Sequence, residues 1–303
     1  MIRMRPLSLL AGALIVGAMG YSAFDSPVSP PQQAAMHGKQ GATQHAAGDP
    51  KDARQFFDAV AGTPAGPANG EAPRAGEQWR EMARKFDNAT SLRAFFYEAI
   101  QHPEQGGYFY AMAALGRCRD SKAVNPTDVA TPQQRAAYAL GTRCDFSEQE
   151  ARDAFQQMGA IRGTRLDDDP LLRQVFAFTR AKTGDEKIRV VASTMDLHHP
   201  QAIRSVITPA VEKAFGTGPG ADAHAAELAG YSLDLVECRL GASCGETSDR
   251  TLELCARQGW CADSVPNALR LGLGADFARV SSESSAVFKH LSTRNFRVLV
   301  PEA

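Results

Sequence analysis

The sequence has no excess of charge of either sign. It carries 33 basic and 34 acidic side chains in 303 residues, a formal net charge of -1 at pH 7. A protein that binds nucleic acid by neutralising many phosphates needs a surplus of lysine and arginine. The composition therefore argues against this kind of binding, and we expect no nucleic acid among the partners.

Several sequence signatures of catalysis are also missing. The chain contains no His-Glu-x-x-His zinc motif and no Cys-x-x-Cys redox motif. The glycine-rich stretch at residues 216–220 is not followed by the Lys-Ser/Thr pair of a phosphate-binding loop. On these grounds we assign no catalytic residue, no metal ligand and no cofactor.

The first 24 residues have the layout of an export signal. Arg3 and Arg5 precede an apolar run at residues 7–24 that contains no charged side chain. Two fates remain open, namely cleavage after Gly20 or retention of residues 7–24 as a single inner-membrane anchor. Because the basic end of an export signal stays on the cytoplasmic side of the inner membrane, both fates place the rest of the chain in the periplasm or outside the cell.

The sequence divides after residues 1–24 into two further parts. Residues 25–75 are predicted to be a disordered linker, since Pro, Ala, Gly and Gln offer few apolar side chains to offset the entropy of ordering. Within it, residues 51–60 are open to a second interpretation as a short docking helix. Residues 76–303 are long enough to form a helical domain with its own core.

From residue 76 onward, apolar residues recur with the period of amphipathic helices. Clear examples occupy residues 79–86, 92–99 and 108–115. In the third of these, Phe109 and Met112 are expected to share the buried face. The pattern predicts an all-α fold.

Helix-start signals agree with this interpretation. Residues 131–134 combine a threonine cap, a proline at the first helical position and a glutamine at the third. Residues 147–150 form a capping box, and Asp169 precedes Pro170 at another start. Only residues 296–300 alternate in a way that suggests a strand.

Two segments of the helical region are similar to each other. Residues 114–118 and 139–144 each end an amphipathic helix at a glycine, with a cysteine just beyond. The Ala-x-x-x-Leu-Gly spacing at residues 111–116 resembles the helix end of tetratricopeptide-type repeats, including the shorter variety of exported bacterial proteins. The resemblance implies helical hairpins in an array, and an irregular helical globule is the alternative.

The cysteines are the most informative residues. There are six, at Cys118, Cys144, Cys238, Cys244, Cys255 and Cys261. An even number of cysteines behind an export signal predicts three disulfides. The first two lie at equivalent helix ends and are expected to pair with each other.

The last four cysteines form two Cys-x5-Cys units. Each unit contains a glycine, at 241 or 259, where a left-handed turn would carry the second cysteine back over the last helical turn. This favours pairing within each unit. The rival arrangement joins Cys238 to Cys255 and Cys244 to Cys261. Zinc binding or a thiol nucleophile at Cys244 are further alternatives, although the spacing fits a zinc site poorly.

Three other groups of residues could carry chemistry. Residues 196–199 hold the only histidine pair, which we interpret as a surface turn, because adjacent histidines on a helix diverge. Asp167, Asp168 and Asp169 are interpreted as a helix cap instead of calcium ligands. The aromatic triplets at 95–97 and 108–110 are interpreted as core, with a ligand groove as the alternative.

The sequence favours a binding role over an enzymatic one. We expect an exported helical protein that acts as a protein-interaction or accessory module of the bacterial envelope, with another envelope protein as its partner. The alternative is an envelope hydrolase that acts on cell-wall glycan or peptide, with Glu98 or Glu104 as acid or base. Two carboxylates about 5 to 9.5 Å apart in a cleft would favour the hydrolase.

Overall fold

The computed structural model describes residues 77–120, 129–216 and 222–300, and these residues are helical almost throughout. The α-helices in chain order are α1 (Glu77–Asp87), α2 (Leu92–Ala99), α3 (Gly107–Asp120), α4 (Pro132–Gly141), α5 (Glu148–Thr164), α6 (Pro170–Arg180), α7 (Gly184–Asp196), α8 (Pro200–Ala214), α9 (Ala223–Arg239), α10 (Asp249–Gln258), α11 (Val265–Leu273), α12 (Asp276–Ser292) and α13 (Phe296–Leu299). No strand forms within the described ranges, so the all-α prediction is confirmed. The predicted signal and linker, and residues 217–220 of the glycine-rich stretch, lie outside the described residues.

The predicted helix starts are found where the sequence places them. The Thr131 side chain accepts from the backbone N–H of Gln134, whose own side chain accepts from the Thr131 N–H. Ser147 begins α5 with the same reciprocal pair of hydrogen bonds. A third capping box, at Thr183, begins α7, so Gly184 is a helical residue and not the helix end that a glycine suggests.

Two C-terminal elements differ from the sequence-based expectation. Residues 296–300 do not form a strand, because Phe296 and Leu299 lie three residues apart and are both buried on α13. The 17-residue helix α12 has no counterpart in the prediction. Its buried face includes Ser284, and a serine within an apolar stripe weakens the helical pattern.

The buried face of α3 is wider than its periodicity indicates. Met112 and Ala113 are only partly buried, whereas six other residues are fully buried: Tyr108, Phe109, Tyr110, Ala111, Ala114 and Leu115. The helix packs against α1, α2 and α6, so it is covered from several sides. At Gly107 a Cβ atom would lie 1.9 Å from the Ala99 carbonyl oxygen, so only glycine allows this approach of α3 to α2.

The larger apolar core is formed by α6 to α13. Trp260 lies in it between α9 and α11, with its ring centroid 5.4 Å from that of Tyr231. On its other side, a Cβ at Gly272 would lie 1.9 Å from the Trp260 ring, so the indole rests directly on the backbone of α11. Close packing of this kind leaves no space for a larger residue at this position.

Helix packing favours the irregular globule over the repeat array. Hairpins in an array contact only their neighbours along the chain. Here α4 makes its most extensive contact with α10, which follows more than a hundred residues later. The described helices therefore do not show the nearest-neighbour stacking that the tetratricopeptide resemblance implies.

All six cysteines form disulfides, in the favoured pairing. The pairs are Cys118–Cys144, Cys238–Cys244 and Cys255–Cys261, with Cα atoms 5.1, 5.7 and 4.2 Å apart. Gly241 and Gly259 have φ angles of 94° and 73°, the left-handed conformation expected at both helix ends. The rival pairing, the zinc site and the thiol nucleophile are thereby wrong. Disulfides are compatible with a location outside the cytoplasm.

None of the described helices meets the requirements of a membrane span. Within residues 77–120, 129–216 and 222–300, none combines enough length with enough apolar character to cross a bilayer.

Candidate functional site

The histidine pair lies at a turn between α7 and α8, as predicted, but its second histidine is not at the surface. His199 is buried and begins α8, because its Nδ1 accepts the backbone N–H of Ala202 at 3.0 Å. Nδ1 is therefore unprotonated, and Nε2–H donates to the Tyr110 hydroxyl at 2.8 Å. That hydroxyl donates in turn to Gln201 Oε1 at 3.0 Å. Burial lowers the pKa of His199 to about 3, so the imidazole stays neutral and serves as a structural cap.

Asp169 is a helix cap, as the sequence predicts, and it also joins two helices. Its Oδ1 accepts the backbone N–H groups of Leu171 and Leu172, and its Oδ2 accepts that of Phe109 at 2.9 Å. Burial raises the pKa of Asp169 to about 6, although these N–H groups favour the ionised form. The carboxylate thus fixes the start of α3 against the start of α6.

The other residues singled out in the sequence lie apart from any pocket that the structure describes. Tyr97 is 41% exposed, but the remaining members of both aromatic triplets are buried, so these triplets belong to the core. Glu98 is exposed and pairs with Lys85 at 2.6 Å. Glu104 is exposed beside His102. The hydrolase that would use these glutamates stays a prediction.

Eight charged side chains form a series of ion pairs in which the sign of the charge alternates. In order they are Glu237, Arg204, Asp234, Arg250, Glu253, Arg117, Asp249 and Arg143. They come from α3, α8, α9, α10 and the loop after α4, and none exposes more than 27% of its side chain. We call this set the arginine–carboxylate cluster. Its four positive and four negative charges cancel.

Asp234 is the most buried member of the cluster. Arg204 Nη1 lies 2.5 Å from its Oδ1, and Arg250 Nη2 lies 2.7 Å from its Oδ2. Burial opposes its ionisation, but Arg250 and Arg204 outweigh burial and lower the pKa of Asp234. At the end of the series, burial raises the pKa of Glu237 although Arg204 lies beside it. Asp234 is thus an ionised structural group without a proton to donate.

Arg143 connects the cluster to α1. Its Nη1 pairs with Asp249, while its Nε and Nη2 donate to the carbonyl oxygens of Ala89 and Phe86 at 2.7 and 2.6 Å. Its own carbonyl accepts the backbone N–H of Leu92 at 2.7 Å, at the start of α2. One residue therefore satisfies the C-terminal carbonyls of α1 and neutralises a carboxylate at the start of α10.

Asp87 lies at the end of α1, close enough to the cluster to be affected by its charges. Burial and the Asp249 carboxylate raise the pKa of Asp87 to about 6, whereas Arg143 and Arg117 oppose the shift. The folded chain therefore keeps this proton up to about pH 6, while an unfolded aspartate releases it near pH 3.9. The stability contributed by the protonated form is complete below about pH 4 and is lost as the pH rises through 6.

Replacement of Asp87 by asparagine should remove this dependence, because asparagine stays neutral. We expect D87N to raise the free energy of unfolding by about 3 kcal/mol at neutral pH and to leave it unchanged near pH 4. Urea unfolding at both pH values measures this, and Asp153→Asn, on the exposed face of α5, is the control. A D87N variant that is less stable at neutral pH would contradict the expectation.

One catalytic sequence pattern was missed by the sequence analysis. Residues 241–245, Gly-Ala-Ser-Cys-Gly, match the Gly-x-Ser-x-Gly pattern of hydrolase nucleophiles. That nucleophile requires a sharp turn between a strand and a helix. Here the segment follows the end of α9, Ser243 is exposed, and Cys244 is in a disulfide with Cys238. The segment therefore matches the pattern in sequence but does not have the geometry that the nucleophile requires.

A shallow depression of about 650 Å³ lies between the end of α6 and the side of α7. Its lining residues are Ala177, Arg180, Ala181, Lys182, Glu186, Arg189, Val190 and Ser193. We call it the α6–α7 depression. It is open to solvent and contains no histidine, no cysteine and a single carboxylate.

No family model, curated protein or solved structure matches this chain. What the molecule does must therefore follow from its own side chains. Within the described ranges, no group of three or more His, Cys, Asp or Glu side chains is arranged to hold a metal ion. The α6–α7 depression is a concave surface on which a ligand or partner has access to cationic side chains.

Proposed function

We propose that this chain is an exported protein of the bacterial envelope that binds another protein through the α6–α7 depression. The observation that carries the proposal is the chemistry of this surface. It is open to solvent, and its lining combines small apolar side chains with three cationic side chains and one carboxylate. A catalytic pair of carboxylates needs two acidic groups that converge on one substrate atom or bond. A protein partner needs only a complementary surface.

The export of the chain is supported by two independent features. The described residues contain three disulfides, and disulfides persist in oxidising compartments such as the periplasm. The basic residues Arg3 and Arg5 before the apolar run at 7–24 support an export signal, cleaved or retained as an anchor. Both features favour a periplasmic or secreted location.

The arrangement of charge supports binding over catalysis. The arginine–carboxylate cluster contains most of the buried acidic groups, and guanidinium groups neutralise them without releasing protons. The cluster thereby holds five separate parts of the chain together. The helices α6 and α7 contribute no member of the cluster, but both pack on α8, which does. A surface that is held in one shape loses less entropy on association.

Site-specific crosslinking in the source bacterium tests the proposal. The full chain would carry a photoreactive benzoylphenylalanine in place of Ala181, which lines the depression at the end of α6. The matched control carries the same group in place of Arg257, which is exposed on α10. We expect a discrete adduct with one polypeptide from position 181 and none from position 257.

Three outcomes would count against this function. Failure to form a polypeptide adduct at position 181 in whole cells removes the binding surface. Release of soluble sugar or peptide from purified cell walls by the purified chain favours the hydrolase instead. Recovery of the chain in the cytosolic fraction with free thiols contradicts export.

A further inference from the structure

The α6–α7 depression has an apolar floor and a cationic rim. Ala177, Ala181 and Val190 are half-buried and form the floor, whereas the rim residues Arg180 and Lys182 are exposed. Arg189 completes the rim from the side of α7. A ligand that lies across the depression therefore contacts small aliphatic groups in the middle and positive charge at the edge.

None of the three rim cations forms a close ion pair. Among the described residues, no carboxylate lies within 4.0 Å of Arg180, Lys182 or Arg189. The backbone N–H groups of Lys182 and Thr183, and Arg189 at longer range, lower the pKa of Glu186. The only acid in the lining, Glu186, accepts the backbone N–H groups of Lys182 and Thr183 at 2.7 and 3.1 Å and so serves as a cap. Three positive charges against one negative leave the lining with a formal charge of +2.

The helix dipoles account for only some of the charged residues that line the depression. Arg180 lies in the last turn of α6, where a cation interacts favourably with the helix dipole. Glu186 lies in the first turn of α7, where an acid is favourable. Lys182 precedes the positive end of α7, and Arg189 lies in the middle of that helix, so the dipoles do not account for either.

The shape of the depression indicates the class of ligand. Sites for small molecules bury about 70 to 90% of the ligand surface, which an open depression does not do. An extended polypeptide lies across such a surface and gains affinity from several contacts at once. The small aliphatic floor favours a small apolar side chain, and the cationic rim favours carboxylates next to it.

We propose that the α6–α7 depression recognises an acidic polypeptide segment. Its carboxylates pair with Arg180, Lys182 and Arg189, and a small apolar side chain between them lies on Ala177 and Val190. This inference rests on the proposed function, because it names the chemistry of the partner at the same surface.

Fluorescence anisotropy with a defined peptide tests the recognition. The probe is a labelled octapeptide of alternating Glu and Val, titrated with the full chain at about 50 mM salt. We expect saturable binding that weakens at least about tenfold in the triple variant R180A/K182A/R189A. The control triple variant K213A/R257A/K289A removes three exposed cations elsewhere and should bind within about twofold of the unchanged chain.

The other outcomes overturn the proposal. An equal loss of affinity in both triple variants shows that the peptide is attracted to positive charge in general. Binding of the matching Lys-Val peptide shows that the surface does not distinguish negative from positive side chains. Binding to phosphatidylglycerol vesicles without binding to the peptide assigns the surface to lipid. If position 181 crosslinks to a polypeptide but the acidic peptide does not bind, the protein-binding function stands and this inference fails. Circular dichroism of both triple variants confirms that they are folded.

Discussion

Replacement of Arg143 by alanine is expected to lower the free energy of unfolding by about 3 to 5 kcal/mol. The substitution removes the Nη1 partner of the buried Asp249 carboxylate, to which Arg117 lies only at 3.4 Å. It also leaves the carbonyl oxygens of Phe86 and Ala89 without their guanidinium donors. Loss of one partner from a buried ion pair is costly, because the remaining charge stays buried without compensation.

Urea unfolding measured by circular dichroism provides the measurement, and α4 offers a matched control. Arg135 is exposed on that helix and donates to the Ala130 carbonyl, so Arg135→Ala should change stability by less than about 0.5 kcal/mol. Removal of the orphaned charge in R143A/D249A should recover part of the loss. An R143A variant within about 1 kcal/mol of the unchanged chain would show that the cluster contributes little.

Removal of the Cys118–Cys144 disulfide is the second substitution with a large expected effect. The two cysteines are 26 residues apart, and closure of a loop of this size in the unfolded chain corresponds to about 3.5 kcal/mol. We therefore expect C118S/C144S to unfold at distinctly lower urea concentration. The bond also holds the end of α3 next to Arg143, so its loss affects the side of the cluster that joins α1.

The two short disulfides provide the comparison. Cys255 and Cys261 are 6 residues apart, and the same relation gives about 2 kcal/mol for C255S/C261S. Free energies of unfolding for both double variants, measured in the absence of reductant, test whether C118S/C144S loses more stability than C255S/C261S. Equal losses in the two variants would show that loop length does not determine the contribution of these bonds.

Local features of the fold were accessible from the sequence because they depend on neighbouring residues. The capping boxes at Thr131 and Ser147 need only a residue and its partner three positions later. The disulfides at Cys238 and Cys255 close over a single left-handed glycine. In these places the chain itself brings the interacting atoms together.

Two features that the sequence pattern does not predict, helix α12 and the burial of His199, depend on packing. The buried face of α12 includes Ser284, which periodicity counts as polar, although packing covers it completely. The role of His199 depends on Tyr110, which lies 89 residues earlier in the chain. A sequence pattern contains the residue types but not the partner that covers them.

The sequence by itself determined the helical class, the pairing of the cysteines and the evidence for export, because composition, period and spacing are properties of the chain alone. Tertiary structure decided that α4 packs on α10, that eight charges from five parts of the chain alternate in one neutral series, and that three cations remain unpaired beside α7. Each of these depends on distances between residues far apart in the chain, and Coulomb energy and packing follow those distances and not the order of the residues.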